Sequence, residues 1–246
     1  MPLVALTQLT STASVDDNFD AVAAAVAAAA AGGAALVALP ECFAFMPPRA
    51  GASAAVAEPL DGPLFGRYRA LAARHGVWLS LGGFHERDGG RVYNTHALVD
   101  GAGAIVGAYR KAHLFDAVLP DGTAFRESDT ITPGDALVVV AHTPVGAVGL
   151  STCYDVRFAG MYRALVGAGA DLLLVPSAFA VGTGRDHWEV LLRARAIEGG
   201  VPVVAAAQVG DHAPGGGGGG APAGATPSPW TRGGGFSPIW GGTPRA

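Results

Sequence analysis

Three short segments carry side chains that together could do covalent chemistry. Glu41 follows Leu39-Pro40, Lys111 sits in Tyr109-Arg110-Lys111-Ala112-His113, and Cys153 sits in Ser151-Thr152-Cys153-Tyr154-Asp155. A thiol attacks a carbonyl once a base takes its proton, a carboxylate can be that base, and an ammonium can hold the oxygen that turns negative. The set is sufficient for acyl transfer through a thioester. Lys111 stands out by type, as the single lysine among sixteen Lys+Arg residues. An ammonium is a compact point charge and a guanidinium a planar fork, so a lone lysine marks a place where arginine will not serve. GC-rich coding, which favours arginine over lysine, is the competing reason for its rarity.

The elements around these residues follow from periodicity and punctuation. Strands are expected over Leu3–Leu9, Ala34–Leu39, Val77–Gly83, Leu172–Val175 and Val203–Ala207. Two hairpins are expected, Val92–Val99 with Ala104–Arg110 and Ala136–Ala141 with Val145–Ser151. Helices are expected over Asp16–Ala31 (capped by Ser14 or Asp16 and stopped by Gly32-Gly33), Leu64–His75, Gly160–Val166 and Asp186–Glu198. Buried strands alternating with helices make an α/β layered domain with some antiparallel pairing. Glu41, Lys111 and Cys153 each fall just after an expected strand, where α/β proteins build their sites. A tight bend after Ser151 would expose the Cys153 thiol and aim backbone N–H groups at an oxyanion.

Composition narrows the classes. The chain has 246 residues, a net charge of −4, half its residues apolar and no basic stripe, which argues against a nucleic-acid binder. The first thirty residues lack Lys and Arg, unlike a secretory signal or transit peptide. The alanine-rich run over 21–35 is broken by Gly32-Gly33 and is too short to span a membrane. Two cysteines, Cys42 and Cys153, are too few for a disulfide framework, and no histidine or cysteine spacing fits a metal site. The expectation is a soluble cytoplasmic protein without cofactor. None of the seven histidines, His75, His85, His96, His113, His142, His187 and His212, has a neighbour pattern that marks it as the base.

Leu39-Pro40-Glu41, Tyr109-Arg110-Lys111 and Cys153-Tyr154-Asp155-Val156-Arg157-Phe158, in that order, resemble the motifs of the nitrilase superfamily of carbon–nitrogen hydrolases. The segments 78–87, 125–128, 176–179 and 187–198 look like its Nit-type branch, and the likeness runs from about Leu3 to His212. The resemblance implies a four-layer α-β-β-α sandwich that dimerises through a helix after the cysteine. It implies that Cys153 attacks an amide carbonyl, that Glu41 moves the protons, and that Lys111 and the backbone N–H of Tyr154 hold the oxyanion. Glu127 matches the family's supporting carboxylate, and Arg157, Phe179 and Thr183 are candidates for substrate contact. The implied substrate is a small amide, first deaminated glutathione, split to 2-oxoglutarate and cysteinylglycine in metabolite repair. The alternatives are a 2-oxo-amide that releases ammonia, or a truncated inactive relative.

Two departures from the family pattern carry expectations of their own. Ala159-Gly160 follows Arg157-Phe158 where the family has Pro-Glu, and a glycine there weakens the start of a helix. Residues 213–246 form a Gly/Pro-rich tail beyond a hydrolase domain over 1–212, and such a tail is expected to be disordered, leaving the last strands of one sheet missing or disrupted. Written in GC-rich codons and read one frame over, the tail from Ala225 yields His-Ala-Leu-Ala-Val-Asp-Pro-Trp-Gly, a segment like the one the family has there. The shifted Asp is fixed by Trp230-Thr231, because tryptophan has a single codon. The tail is therefore expected to be out of frame.

Overall fold

A computed structural model describes residues 2–118, 122 and 124–212. The tail over 213–246 lies outside the described residues. The chain begins with β1 (Leu3–Leu6), β2 (Gln8–Leu9), α1 (Val15–Ala31), β3 (Ala34–Leu39), α2 (Pro63–His75), β4 (Trp78–Asp88), β5 (Arg91–Val99) and β6 (Ile105–Arg110). It continues with β7 (Asp116–Val118), β8 (Ala124–Arg126), β9 (Val138–Thr143), β10 (Gly146–Leu150), α3 (Ala159–Gly167), β11 (Leu172–Leu174), α4 (Val181–Gly199), β12 (Val203–Val204) and β13 (Ala207–Gln208).

One sheet has the order β1-β3-β4-β5-β6 and a second the order β12-β11-β10-β9. Within them β1, β3 and β4 are mutually parallel, as are β10, β11 and β12, and the antiparallel pairs are β4 with β5, β5 with β6 and β9 with β10. Strand alternation divides the core. Val37, Leu39, Leu79, Leu81 and Val99 pack on α1 and α2 through Val22, Val26, Phe65, Tyr68 and Leu71. Leu36, Leu98 and Tyr109 share a second cluster with Val148 and Leu150 of the other sheet and with Tyr162, Leu165, Leu192 and Ala196 of α3 and α4. The result is the expected four-layer α-β-β-α sandwich. Each fully buried Leu or Phe contributes roughly 1.5–3 kcal/mol. The two sheets meet closely at Gly107 of β6, where a Cβ would lie 2.5 Å from Val140 Cγ2. Any larger residue there would push the sheets apart.

The helix signals worked as local chemistry predicts. The Ser14 side chain accepts the Asp17 N–H at 3.3 Å, and Asp16 and Asp17 occupy the first turn of α1, favourable at the positive end of the helix dipole. Pro63 opens α2 and Gly76 closes it.

Five expectations on elements change. The strand expected over Leu3–Leu9 breaks at Thr7, whose N–H and hydroxyl both bond Ala38 O at 3.0 Å; β1 then pairs with β3, while β2 crosses to pair with β13. The strand expected over Val203–Ala207 divides in the same way into β12 and β13. The strand expected to stop at Gly83 runs on to Asp88, because Gly82-Gly83 form a bulge rather than an end. The short hairpin of β7 and β8 was not expected. Helix α4 begins at Val181, five residues before Asp186, with Gly182 and Gly184 inside it.

Candidate active site

Glu41, Lys111 and Cys153 each follow the C-terminal end of a strand, β3, β6 and β10, and the structure brings all three together. Their exposures are 3%, 2% and 7%. Lys111 Nζ donates to Glu41 Oε1 at 3.0 Å and to Glu127 Oε1 and Oε2 at 3.1 and 2.8 Å. Glu127 follows β8, so the unexpected hairpin delivers it; its Oε2 also accepts the Phe115 N–H at 2.6 Å. Glu41 Oε2 accepts the Ala178 N–H at 2.8 Å, and the Cys153 thiol is near enough to feel the charge of Glu41. An ammonium has three N–H groups, and here all three reach carboxylate oxygens, Glu41 Oε1 and both oxygens of Glu127, so a substrate oxygen would have to replace one of these contacts.

Cys153 stands in the left-handed region, φ 48°, rare for a residue with a Cβ. Strain of this kind persists only where surrounding contacts hold it. Here the Cys153 N–H bonds Pro176 O at 2.9 Å, and Asp155 ties down the following 3-10 turn, Cys153–Arg157. Asp155 is fully buried and accepts from Thr152 N (2.8 Å), Tyr109 Oη (2.7 Å), His113 N (3.1 Å) and His113 Nδ1 (2.7 Å). One carboxylate thus fastens both flanks of Lys111 to the bend that carries Cys153. The Asp155 N–H bonds Thr152 O, while the Tyr154 N–H has no hydrogen-bond partner among the described residues. That leaves it available to an oxyanion.

Electrostatics assigns the protons. Burial, then the charge of Glu41, pushes the Cys153 thiol well above the ordinary cysteine value, with Lys111 pulling the other way, so sulfur keeps its proton until it reacts. Burial opposes the charge of Lys111, but Glu127 and Glu41 outweigh it and hold the ammonium well above the usual lysine range. Burial lowers His85 and His96 to about 4, which keeps both neutral. His96 is also occupied, with Nε2 on Ser80 Oγ at 2.8 Å and Nδ1 on Ser151 O at 2.9 Å. His113 Nδ1 is held by Asp155. Glu41 is the carboxylate whose charge acts most strongly on the sulfur.

Cys153 and Tyr154 open onto a narrow cleft that Phe115, Arg157, Phe179 and Thr183 also line, so the three substrate-contact candidates gather there. Arg157 lies over the Tyr154 and Phe179 rings at 5.6 and 5.8 Å. Its Nη2 reaches His187 Nδ1 at 3.3 Å, its buried Nε has no partner, and it makes no ion pair among the described residues. Phe179 packs edge-on to Trp188, and the Thr183 hydroxyl bonds the O of Ala180, the residue just before its helix, at 3.2 Å.

Sequence reasoning missed four parts of this site. Asn94 of β5 donates from Nδ2 to Glu41 Oε1 at 2.8 Å and to Glu127 Oε1 at 3.2 Å. Gln208 Nε2 donates to Glu41 O at 3.0 Å. Ala178 supplies its N–H from the segment after β11, and Asp155 supplies the clamp. Among them only Asp155 carried a visible signal, a charged residue beside the reactive cysteine. Among the described residues no group of three or more His, Cys, Asp or Glu is placed to hold a metal ion, and no helix is long and apolar enough to cross a membrane.

The profile of the carbon–nitrogen hydrolase family matches residues 3–226. The chain is 48% identical to the deaminated glutathione amidase of Rattus norvegicus over 217 residues, 86% of this chain and 66% of the relative. It spans about two thirds of the length of the curated relatives it matches first. Its fold superposes on the NitFhit protein of C. elegans with a TM-score of 0.79 at 40% identity, covering 86% of this chain and 52% of that one. It superposes on a variant amidase of Nesterenkonia sp. AN1 with a TM-score of 0.69 at 28% identity, covering 84% and 76%. That structure shows the acetamide moiety of fluoroacetamide added covalently at its active site cysteine.

Proposed function

The chain belongs to the carbon–nitrogen hydrolase family, and from that premise we propose that it hydrolyses a linear amide through a thioester on Cys153, with deaminated glutathione as substrate. The observation that carries the reading is one buried ammonium shared by two carboxylates, beside a buried thiol that feels the charge of one of them. Glu41 takes the thiol proton as sulfur bonds to the carbonyl carbon, and the carbonyl electrons move to oxygen. Lys111 Nζ and the Tyr154 N–H receive that oxyanion. On collapse the C–N bond breaks and Glu41 passes its proton to the departing amine. Water then attacks the thioester, Glu41 takes its proton, and the sulfur leaves and is reprotonated as the acid is released. Glu127 holds Lys111 in place throughout.

Similarity to the rat amidase supports the substrate, and so does Arg157. Its guanidinium lines the cleft beside Cys153 without an ion pair among the described residues, and it suits a 2-oxo-carboxylate bidentately. The Phe179 ring beside it closes the apolar side. Arg157→Gln is expected to raise KM for deaminated glutathione by about 10-fold or more while kcat changes little, since a hydrogen bond to a charged group contributes about 1.5–3 kcal/mol. Steady-state kinetics on that substrate and on an uncharged amide checks this. Equal KM changes for both amides would remove Arg157 as the carboxylate contact.

A small 2-oxo-amide would present the same carboxylate to Arg157, so an ammonia-releasing activity is the second reading. Turnover of deaminated glutathione against 2-oxoglutaramate separates the two. Faster ammonia release from the latter would overturn the first. The site complement argues against an inactive relative. We also propose a homodimer through the helices after Cys153; Val190 and Ile197 of α4, seven residues apart, are 67% and 66% exposed. A reducing compartment such as the cytoplasm, the proposed location, would keep Cys153 a thiol, and metabolite repair is the proposed role.

A further inference from the structure

Asn94 contacts every charged member of the cluster. It is 4% exposed, and its backbone oxygen accepts the Lys111 N–H at 2.8 Å. Its Nδ2 and Lys111 Nζ both donate to the same two atoms, Glu41 Oε1 (2.8 and 3.0 Å) and Glu127 Oε1 (3.2 and 3.1 Å). With two donors each, these oxygens have no lone pair to spare. Glu41 Oε2 accepts one hydrogen bond, from Ala178 N, and keeps an acceptor site open. Asn94 Oδ1 is buried with no hydrogen-bond partner among the described residues. Turning the amide over would aim that oxygen at two carboxylates and lose both donors, so the orientation is set by what the NH2 does. Space for it comes from Gly83, φ 69°, where a Cβ would lie 2.9 Å from Asn94 Oδ1 and 2.7 Å from Glu41 Cγ.

We propose that Asn94 is a positioning residue that selects Glu41 Oε2 as the oxygen that takes the Cys153 proton. The inference rests on Glu41 being the base of the amidase reading. In the acylation step the S–H bond breaks, the proton goes to Oε2, and sulfur bonds to the carbonyl carbon. The same proton leaves on the amine nitrogen. A neutral amide suits this task, because it fastens two carboxylates without cancelling the negative charge that makes Glu41 a base.

The test uses Asn94→Asp, Asn94→Ala and Asn94→Ser. Asn94→Asp keeps the size, replaces the donor by an oxygen and adds a third negative charge; Asn94→Ser keeps one donor and is the variant most sparing of the fold. Two readouts are needed: kcat and KM on an amide, and the pH dependence of iodoacetamide alkylation read on the peptide containing Cys153. For Asn94→Asp and Asn94→Ala, kcat is expected to fall about 100-fold, with KM within about threefold of wild type. The acid limb of alkylation should move up by about one pH unit, because a carboxylate that loses a donor binds its proton more tightly. Asn94→Ser should fall between. A purely structural role would lower the amplitude and leave the limb in place. An unmoved limb in variants that melt near the wild-type Tm overturns the proposal, as does a loss confined to KM. Alkylation requires no turnover, so it still decides the role of Asn94 if wild type hydrolyses no amide and the amidase reading fails.

Discussion

Lys111→Arg is expected to lower kcat/KM by about 1,000-fold, a loss in the upper range for a single oxyanion donor. The positive charge stays and the activity goes, because geometry decides. Lys111 Nζ spreads its three donors over Glu41 Oε1 and both oxygens of Glu127, and a substrate oxygen would replace the longer Glu127 contact. A guanidinium places its donors in one plane and needs more volume than a side chain with 2% exposure has around it. It would satisfy the two carboxylates in a bidentate pair and push its remaining edge away from the oxyanion. Steady-state kinetics together with a thermal melt measures this. A wild-type rate for Lys111→Arg would take Lys111 out of the reaction.

Cys153→Ala is expected to reduce hydrolysis by about 10⁶-fold, the size seen when the nucleophile of a catalytic unit is removed. Folding should survive, since the bend is held by backbone bonds and by Asp155 rather than by sulfur: Cys153 N to Pro176 O at 2.9 Å and Thr152 N to Asp155 Oδ2 at 2.8 Å. Removing the thiol also relieves a buried polar group. The variant should melt within a few degrees of wild type, which amide-hydrolysis assays and circular dichroism together would show. Measurable turnover at the wild-type rate would end the cysteine mechanism.

The chemistry was more legible in the sequence than the scaffold that supports it. Glu41, Lys111 and Cys153 announced themselves because unusual types stood at strand ends, and Pro40 and the bend after Ser151 marked those ends. Glu127 was legible only through family resemblance, since β7 and β8 are three residues each and too short for periodicity to reveal. Asn94 was silent. It lies in β5, whose burial runs unbroken from Val92 to Val99, so a polar residue there has no alternation to betray which face it serves. The Gly82-Gly83 pair read as a stop, yet the bulge it forms makes room for Glu41 and Asn94. Gln208 reaches Glu41 across 167 residues of sequence, a pairing that depends on β2 and β13 leaving their sheets to meet. These misses share one cause: they are long-range contacts made by ordinary residues, which local pattern does not encode.

The most direct test of the account is the covalent intermediate. Wild-type protein mixed with deaminated glutathione, quenched in acid within the first turnovers and digested, should yield the peptide containing Cys153 carrying the 2-oxoglutaryl group as a thioester. Free cysteinylglycine should appear in step with it, and the Cys42 peptide should remain unmodified. Hydrolysis that proceeds with no acyl group on Cys153 at any time point, and equally well in Cys153→Ala, would contradict the mechanism.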